Sequence, residues 1–247
     1  MQILIGFLGF LGAVKMAASP PPVLAPVPES EVVVSQNISE TSIEEEKEGE
    51  LLAKAQINLS KRWPEESINE GFRYNILLSL WYLKMAQKEP NFEPKVEDSP
   101  PSCLDPPAGG TSGVLLLPGE VFAFHRNVNA KYAKVAQDAK NAKTMNSEFL
   151  VEQGYKSVMG LGGNGVCHLA SLINWAASEA GLKVLAPTDH AFAEIPGVPR
   201  DYWTSIKYQQ NSANSQLQNL YIINNKDFTV RFLFEKNGNN LILKILK

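Results

Sequence analysis

Apolar residues recur at Ile68, Phe72, Ile76, Leu80 and Leu83, every three or four positions. That spacing lines one face of an α-helix, so a core-facing helix is predicted around Leu77. Leu169, Leu172, Ile173, Ala176, Ala177 and Ala180 form a second such face, with Gly181 as its natural stop. Elsewhere the period is two. Ile57, Leu59, Lys61 and Trp63 alternate as a strand or extended entry. After a break at Pro118 and Gly119, residues 121–125 alternate again. The stretches "KVLAPTDHAF" and "DYWTSIKYQ" read as strands. The C-terminal "NLYIINNKDFTVRFLF" and "EKNGNNLILKIL" turn at residues 224–227 and at Asn237 and Gly238, which predicts a three-stranded antiparallel meander. Two more helices are expected. One starts at a capping box of Ser42 and Glu45 and runs to Gln56. The other lies in the Ala- and Lys-rich residues 130–155. The sum is an α+β fold: a single domain with a mainly antiparallel sheet packed on helices, and a cysteine at the N-terminus of a core helix.

Composition sets the limits of this domain. The chain has 247 residues and a formal net charge of -3, which excludes a strong electrostatic footprint for nucleic acid. Residues 3–14 are an uninterrupted apolar run, shorter than the roughly 20 residues that span a bilayer. The run fits the core of a secretory signal peptide, with an uncleaved N-terminal anchor as the second reading. Against the first reading, no Lys or Arg precedes Ile3, and Pro20 follows the small residues Ala17 and Ser19. The expected organisation is a signal or short anchor over 1–19, a Pro-rich and acidic spacer over 20–41, and a domain over 42–247. The Pro-, Gly- and Ser-rich residues 88–113 form a long loop insert in that domain.

Candidate chemistry centres on one thiol. The chain has two cysteines, Cys103 and Cys167, so a disulfide framework is excluded while one bridge stays open. Cys167 follows the glycine-rich "GLGGNGV" and opens the second helix. There the free backbone N–H groups and the helix dipole favour a thiolate. The competing reading is a buried cysteine that seals the helix base. A nucleophilic thiol needs a base, and His190 on the following strand can return to the helix start. Asp201 is the candidate to orient its imidazole, the competing reading being a salt bridge to a nearby Arg or Lys or a turn cap. The backbone at Gly165 and Val166 is a candidate oxyanion site. His168 adjoins Cys167 and faces elsewhere round the helix, which makes it a poor base. Gly163, Asn164, Gly165, Val166, His168, Glu120 and His125 are the expected substrate-binding residues. No metal-ligand spacing is present and the glycine loop lacks the Lys-Ser or Lys-Thr pair of a phosphate loop, so neither a metal nor another cofactor is expected.

Four segments in this order, "LPGEVFAFHRNV", "GLGGNGVCHLASLINWAASEAGLKVL", "DHAFAEIPGVPRDYWTSIKY" and "NLYIINNKDFTVRFLF", resemble the VanW-like family. The likeness covers roughly residues 57–247, because "NEGFRYNILLSLWYLK" is also similar to the helix before the family's Pro-Gly-Glu element. Here His168 stands where the family usually has Gln. Thr188 stands at the first of two strand histidines, and His125 where the family has Asn. The family takes its name from an accessory protein of vancomycin-resistance gene clusters. The resemblance implies an exported, extracytoplasmic protein of the bacterial cell envelope. On this reading Cys167, His190 and Asp201 form a thiol-dependent hydrolase or transferase site for peptidoglycan peptides. The alternative is a non-catalytic module that binds the cell wall or an envelope protein. N-terminal membrane association follows if the N-terminal run stays as an anchor rather than being cleaved, and nucleic acid is not an expected partner.

Overall fold

The computed structural model describes residues 49–89, 92–95, 111–128, 142–158, 160, 163–210 and 212–247, which belong to one compact unit. Leu51–Asn58 is a strand (β1), not the end of the helix expected up to Gln56. Ala53, Ala55 and Ile57 are buried and their neighbours are not. Only a strand gives that alternation a single buried face. β1 also pairs along its length with Asn240–Leu246 (β7), from Ala53 opposite Ile245 to Asn58 opposite Asn240. This ladder outweighs the helix propensity of Leu, Ala and Lys. The strand expected over 57–63 therefore lies earlier and stops at Asn58. The Asn58 side chain ends it by accepting the Ser60 N–H at 2.9 Å.

Val230–Asn237 (β6) and Thr111–Leu116 (β2) complete a four-stranded antiparallel sheet in the order β1-β7-β6-β2. Val230, Phe232 and Phe234 of β6 face the core with Leu241, Leu243 and Ile245 of β7. The β6–β7 hairpin turns at Asn237 and Gly238 as predicted, with Gly238 at φ 57°. Tyr221–Ile223 (β5) does not join them, which corrects the three-stranded meander. It pairs instead with Val121–Ala123 (β3) and Lys183–Leu185 (β4) in a second antiparallel sheet, order β3-β5-β4. Asn224 makes the break. Its amide donates to the Leu116 and Phe228 carbonyls at 2.9 and 2.8 Å, and its side-chain oxygen accepts the Lys226 N–H at 3.0 Å. Those bonds turn the chain from one sheet toward the other.

Both periodic helices form. Glu66–Lys88 (α1) packs on β2, and Val166–Glu179 (α2) packs on α1, β1, β7 and β4. Gly181, at φ 67°, closes α2: the Leu182 N–H reaches the Ala177 carbonyl and the Gly181 N–H reaches Ser178. A short helix, Ala213–Leu217 (α3), precedes β5. No helix among the described residues is long and apolar enough to cross a membrane.

Two other expectations fail in the described residues. The helix over 130–155 is absent from residues 142–155, which run irregularly into one 3-10 turn, Val151–Gln153; residues 129–141 lie outside the description. Burial overrides the helix-favouring composition. Gln153 accepts the Glu148 N–H at 2.8 Å and the Ser147 hydroxyl at 3.2 Å, and the Tyr155 hydroxyl meets Ser147 at 3.0 Å. "DYWTSIKYQ" is a 3-10 turn at Arg200–Tyr202 followed by extended chain with one bridge, Asp189 to Thr204. The insert is shorter than 88–113 at its far end, since β2 begins at Thr111. Its residues 96–110, with Cys103, lie outside the description.

Candidate functional site

The site is assembled by one polar stripe on α2. Cys167, Ser171 and Asn174 fall at i, i+4 and i+7, on one helix face. Ser171 accepts the Thr204 N–H at 2.9 Å. Asn174 donates to the Tyr202 carbonyl and the Thr204 hydroxyl, each at 3.0 Å. The Cys167 sulfur accepts the Ile206 N–H at 3.4 Å and donates to its carbonyl at 3.6 Å. The stripe thus docks residues 202–206 along the helix. That segment carries the next one: the Ser205 N–H donates to the Thr188 carbonyl at 2.9 Å, and Asp189 bridges Thr204. His190 follows directly and arrives beside the N-terminus of α2, although it lies on no strand.

From the other side, Asn75 of α1 holds the glycine loop. Its amide donates to the Lys156 and Asn164 carbonyls, both at 2.9 Å, and its oxygen accepts the Lys156 N–H at 2.8 Å. Gly165 precedes α2 at φ 96°, and a Cβ there would stand 2.7 Å from the Phe72 carbonyl oxygen. Only glycine allows that approach.

These elements enclose a cavity of about 430 Å³. Its walls include Cys167, His168 and His190 and four of the other expected residues, Gly163, Asn164, Gly165 and Val166. Cys167 is half-buried and a free thiol. Burial pushes the thiol up to about 11, against weaker help from the Ile206 amide and its own. The resting thiol is therefore protonated, contrary to the thiolate expected from the helix position. The Val166 N–H is also committed, donating to the Gly163 carbonyl at 3.1 Å.

His190 is half-buried, and burial holds it below its ordinary value, so the ring is neutral at pH 7. Its Nδ1 lies 3.0 Å from the Ala193 carbonyl. A carbonyl only accepts, so this contact makes Nδ1 the protonated nitrogen and leaves the lone pair on Nε2. Ala193 therefore holds the orienting place expected for Asp201. Asp201 sits exposed on the Arg200–Tyr202 turn, outside the cavity wall and without a bond to His190. His190 makes no hydrogen bond to Cys167. His168, expected to face away, lines the same cavity, with its ring 6.5 Å from that of His190 and 5.0 Å from Phe72.

Glu120 and His125 do not reach the cavity. Glu120 caps its own turn, accepting the Leu117 N–H at 2.8 Å, and pairs with Lys143 at 2.8 Å. His125 is fully buried; its Nε2 is 3.0 Å from the Gln218 carbonyl and its Nδ1 accepts the Asn127 N–H at 3.3 Å. Both residues shape the fold near β3. Sequence reasoning missed Trp63, Phe149 and Tyr208 in the cavity wall; they are far apart in the chain and share no pattern. The Cys167, Ser171 and Asn174 stripe was the one readable signal for the docked segment. Among the described residues no cluster of three or more His, Cys, Asp or Glu is arranged to hold a metal ion.

The fold and site define an α+β domain with two antiparallel sheets, in which α1, the start of α2 and the connecting segments wall a cavity lined by a thiol and two histidines. A family model described as VanW-like protein matches residues 108–246, and the chain belongs to that family. The match contains Cys167, His190 and Asp201 and leaves out β1 and α1. No curated protein and no solved structure matches the chain.

Proposed function

We propose that this VanW-like protein is exported to the cell envelope and acts on peptide amides of peptidoglycan through Cys167, as a hydrolase or transferase. The observation that carries the reading is the shared cavity. Cys167 lies in the first turn of α2, and His190 opposite it has its lone pair on Nε2. In the reaction, the Cys167 sulfur attacks the amide carbonyl carbon while the thiol proton passes to His190 Nε2. Collapse of the adduct breaks the C–N bond, and the departing amine takes that proton. The thioester left on Cys167 then passes to water, or to the amine of a second peptide. The high thiol value means proton transfer must accompany attack rather than precede it. Export rests on the apolar run at residues 3–14, which lies outside the described residues.

The test is incubation of the full chain with peptidoglycan peptides, reading products and intact protein mass. The expected result is turnover and an acyl adduct on Cys167, with turnover lost in Cys167→Ala and reduced at least about 100-fold in His190→Ala. Turnover that survives Cys167→Ala sinks the nucleophile.

The second reading, a non-catalytic wall- or protein-binding module, has its own observation. Both hydrogen bonds of the sulfur go to Ile206, so Cys167 also works as a clamp for residues 202–206. Binding of wall peptides without turnover, retained in Cys167→Ser, would support it.

A further inference from the structure

Arg62 is 1% exposed and firmly seated. Its Nε donates to the Asn58 carbonyl at 2.8 Å, and its backbone N–H to the Asn69 side chain at 2.7 Å. Of its terminal nitrogens, Nη1 is buried without a partner, and no carboxylate among the described residues pairs with the guanidinium. Burial lowers it only to about 10, so it is a cation at neutral pH. Buried cations are otherwise paired, because an uncompensated one loses its hydration for nothing. A second orphan lies nearby. His168 is 3% exposed and its Nδ1 has no partner. Its imidazole is pushed down by burial first, then by the charges of Arg62 and His190.

Arg62 lines a second cavity, of about 550 Å³, with Ser60, Lys61 and Trp63 on its own strand exit and Ala193, Glu194 and Pro196 opposite. Trp63 and Ala193 also wall the thiol cavity. Two charged side chains besides Arg62 face this space, Lys61 and Glu194, both exposed; Glu194 makes no ion pair with Arg62. A planar guanidinium fork matches a carboxylate. Glu194 in the same wall disfavours a doubly charged phosphate more than a single carboxylate.

We propose that this second cavity is a carboxylate subsite. Arg62 takes one carboxylate of a peptide ligand, whose chain then passes Trp63 and Ala193 toward Cys167. The subsite rests on the reading of the thiol cavity as a peptide site. The carboxylate is either the chain terminus or an acidic side chain, and the experiment separates the two.

The probes are acetyl-Ala-Ala with a free terminus, its carboxamide, and acetyl-Ala-Glu-amide. Dissociation constants are measured by calorimetry on the full chain carrying Cys167→Ala, so no turnover is needed. One carboxylate peptide should bind about tenfold more tightly than the carboxamide, as expected for a charge-assisted pair. Whichever peptide it is identifies the source. Folded Arg62→Gln should lose the preference and Arg62→Lys should keep part of it. If Arg62→Gln does not fold, the comparison of the three peptides on intact Arg62 decides. Equal affinities, no binding of either carboxylate peptide, or a preference that survives in folded Arg62→Gln overturns the subsite. A preference without any wall-peptide turnover in the native chain keeps the subsite and removes the catalytic reading.

Discussion

The wall around His125 and the wall around His168 each bury an imidazole, at 0% and 3% exposure. Burial depresses both, His125 to about 4 and His168 well below its ordinary value. Their partners differ. His125 has both ring nitrogens on backbone groups, Gln218 and Asn127, and Asn219 braces its own main chain through bonds of 3.1 and 3.0 Å. His168 has an orphaned Nδ1, with the unpaired Arg62 guanidinium near it. Equal burial thus marks opposite roles. Where every polar atom is satisfied the group stabilises the fold. Where neighbouring polar atoms are buried beside a cavity without a partner, their desolvation is uncompensated within the fold.

The largest test of that contrast is acid. An unfolded histidine protonates near 6.5, whereas folded His125 resists until about 4. Between those values the unfolded chain holds more protons, so stability falls as pH falls. The loss from His125 reaches about 3 kcal/mol by pH 4. His168 adds in the same direction. Urea unfolding at pH 7 and pH 4 measures it, and His125→Leu should flatten this part of the slope. A smaller effect is expected at pH 7 itself. His125→Leu strands the Gln218 carbonyl and the Asn127 N–H and should cost about 2 kcal/mol. Removing the orphan should do much less. His168→Leu should change stability by under about 1 kcal/mol, with a gain as the expected sign. A loss as large as that of His125→Leu would mean His168 has a partner and would dissolve the contrast. The smallest effect belongs to Asp201. Asp201→Asn should shift stability by less than about 0.5 kcal/mol and leave the rate at which iodoacetamide alkylates Cys167 unchanged, since Ala193 holds the imidazole. A drop in that rate would return the orienting role to Asp201.

What could be read along the chain was local. The period of Phe72, Ile76, Leu80 and Leu83 defines α1, the period of Leu169 to Ala180 with Gly181 defines α2, and Asn237 with Gly238 defines the last hairpin. Each signal lies within a few turns of backbone, where steric preference and one-sided burial act together. The meeting of Cys167 and His190 in one cavity was legible for the same reason, since one helix and the return segment separate them. Glu120 and His125 were misplaced because nothing near them in the chain names Lys143, Gln218 or Asn219 as partners.

By itself the sequence determined the α+β class, the two core helices and the placing of the thiol after a glycine turn. Tertiary structure decided the rest. It made β1 a strand by offering β7 as a partner, and moved β5 to a second sheet through the Asn224 bonds. It gave His190 its orientation through Ala193 and left Arg62 unpaired at the cavity. The physical reason is the range of the forces. Periodicity and turn preference act over a few residues, whereas desolvation, pairing and hydrogen-bond satisfaction depend on which distant groups close packing brings together.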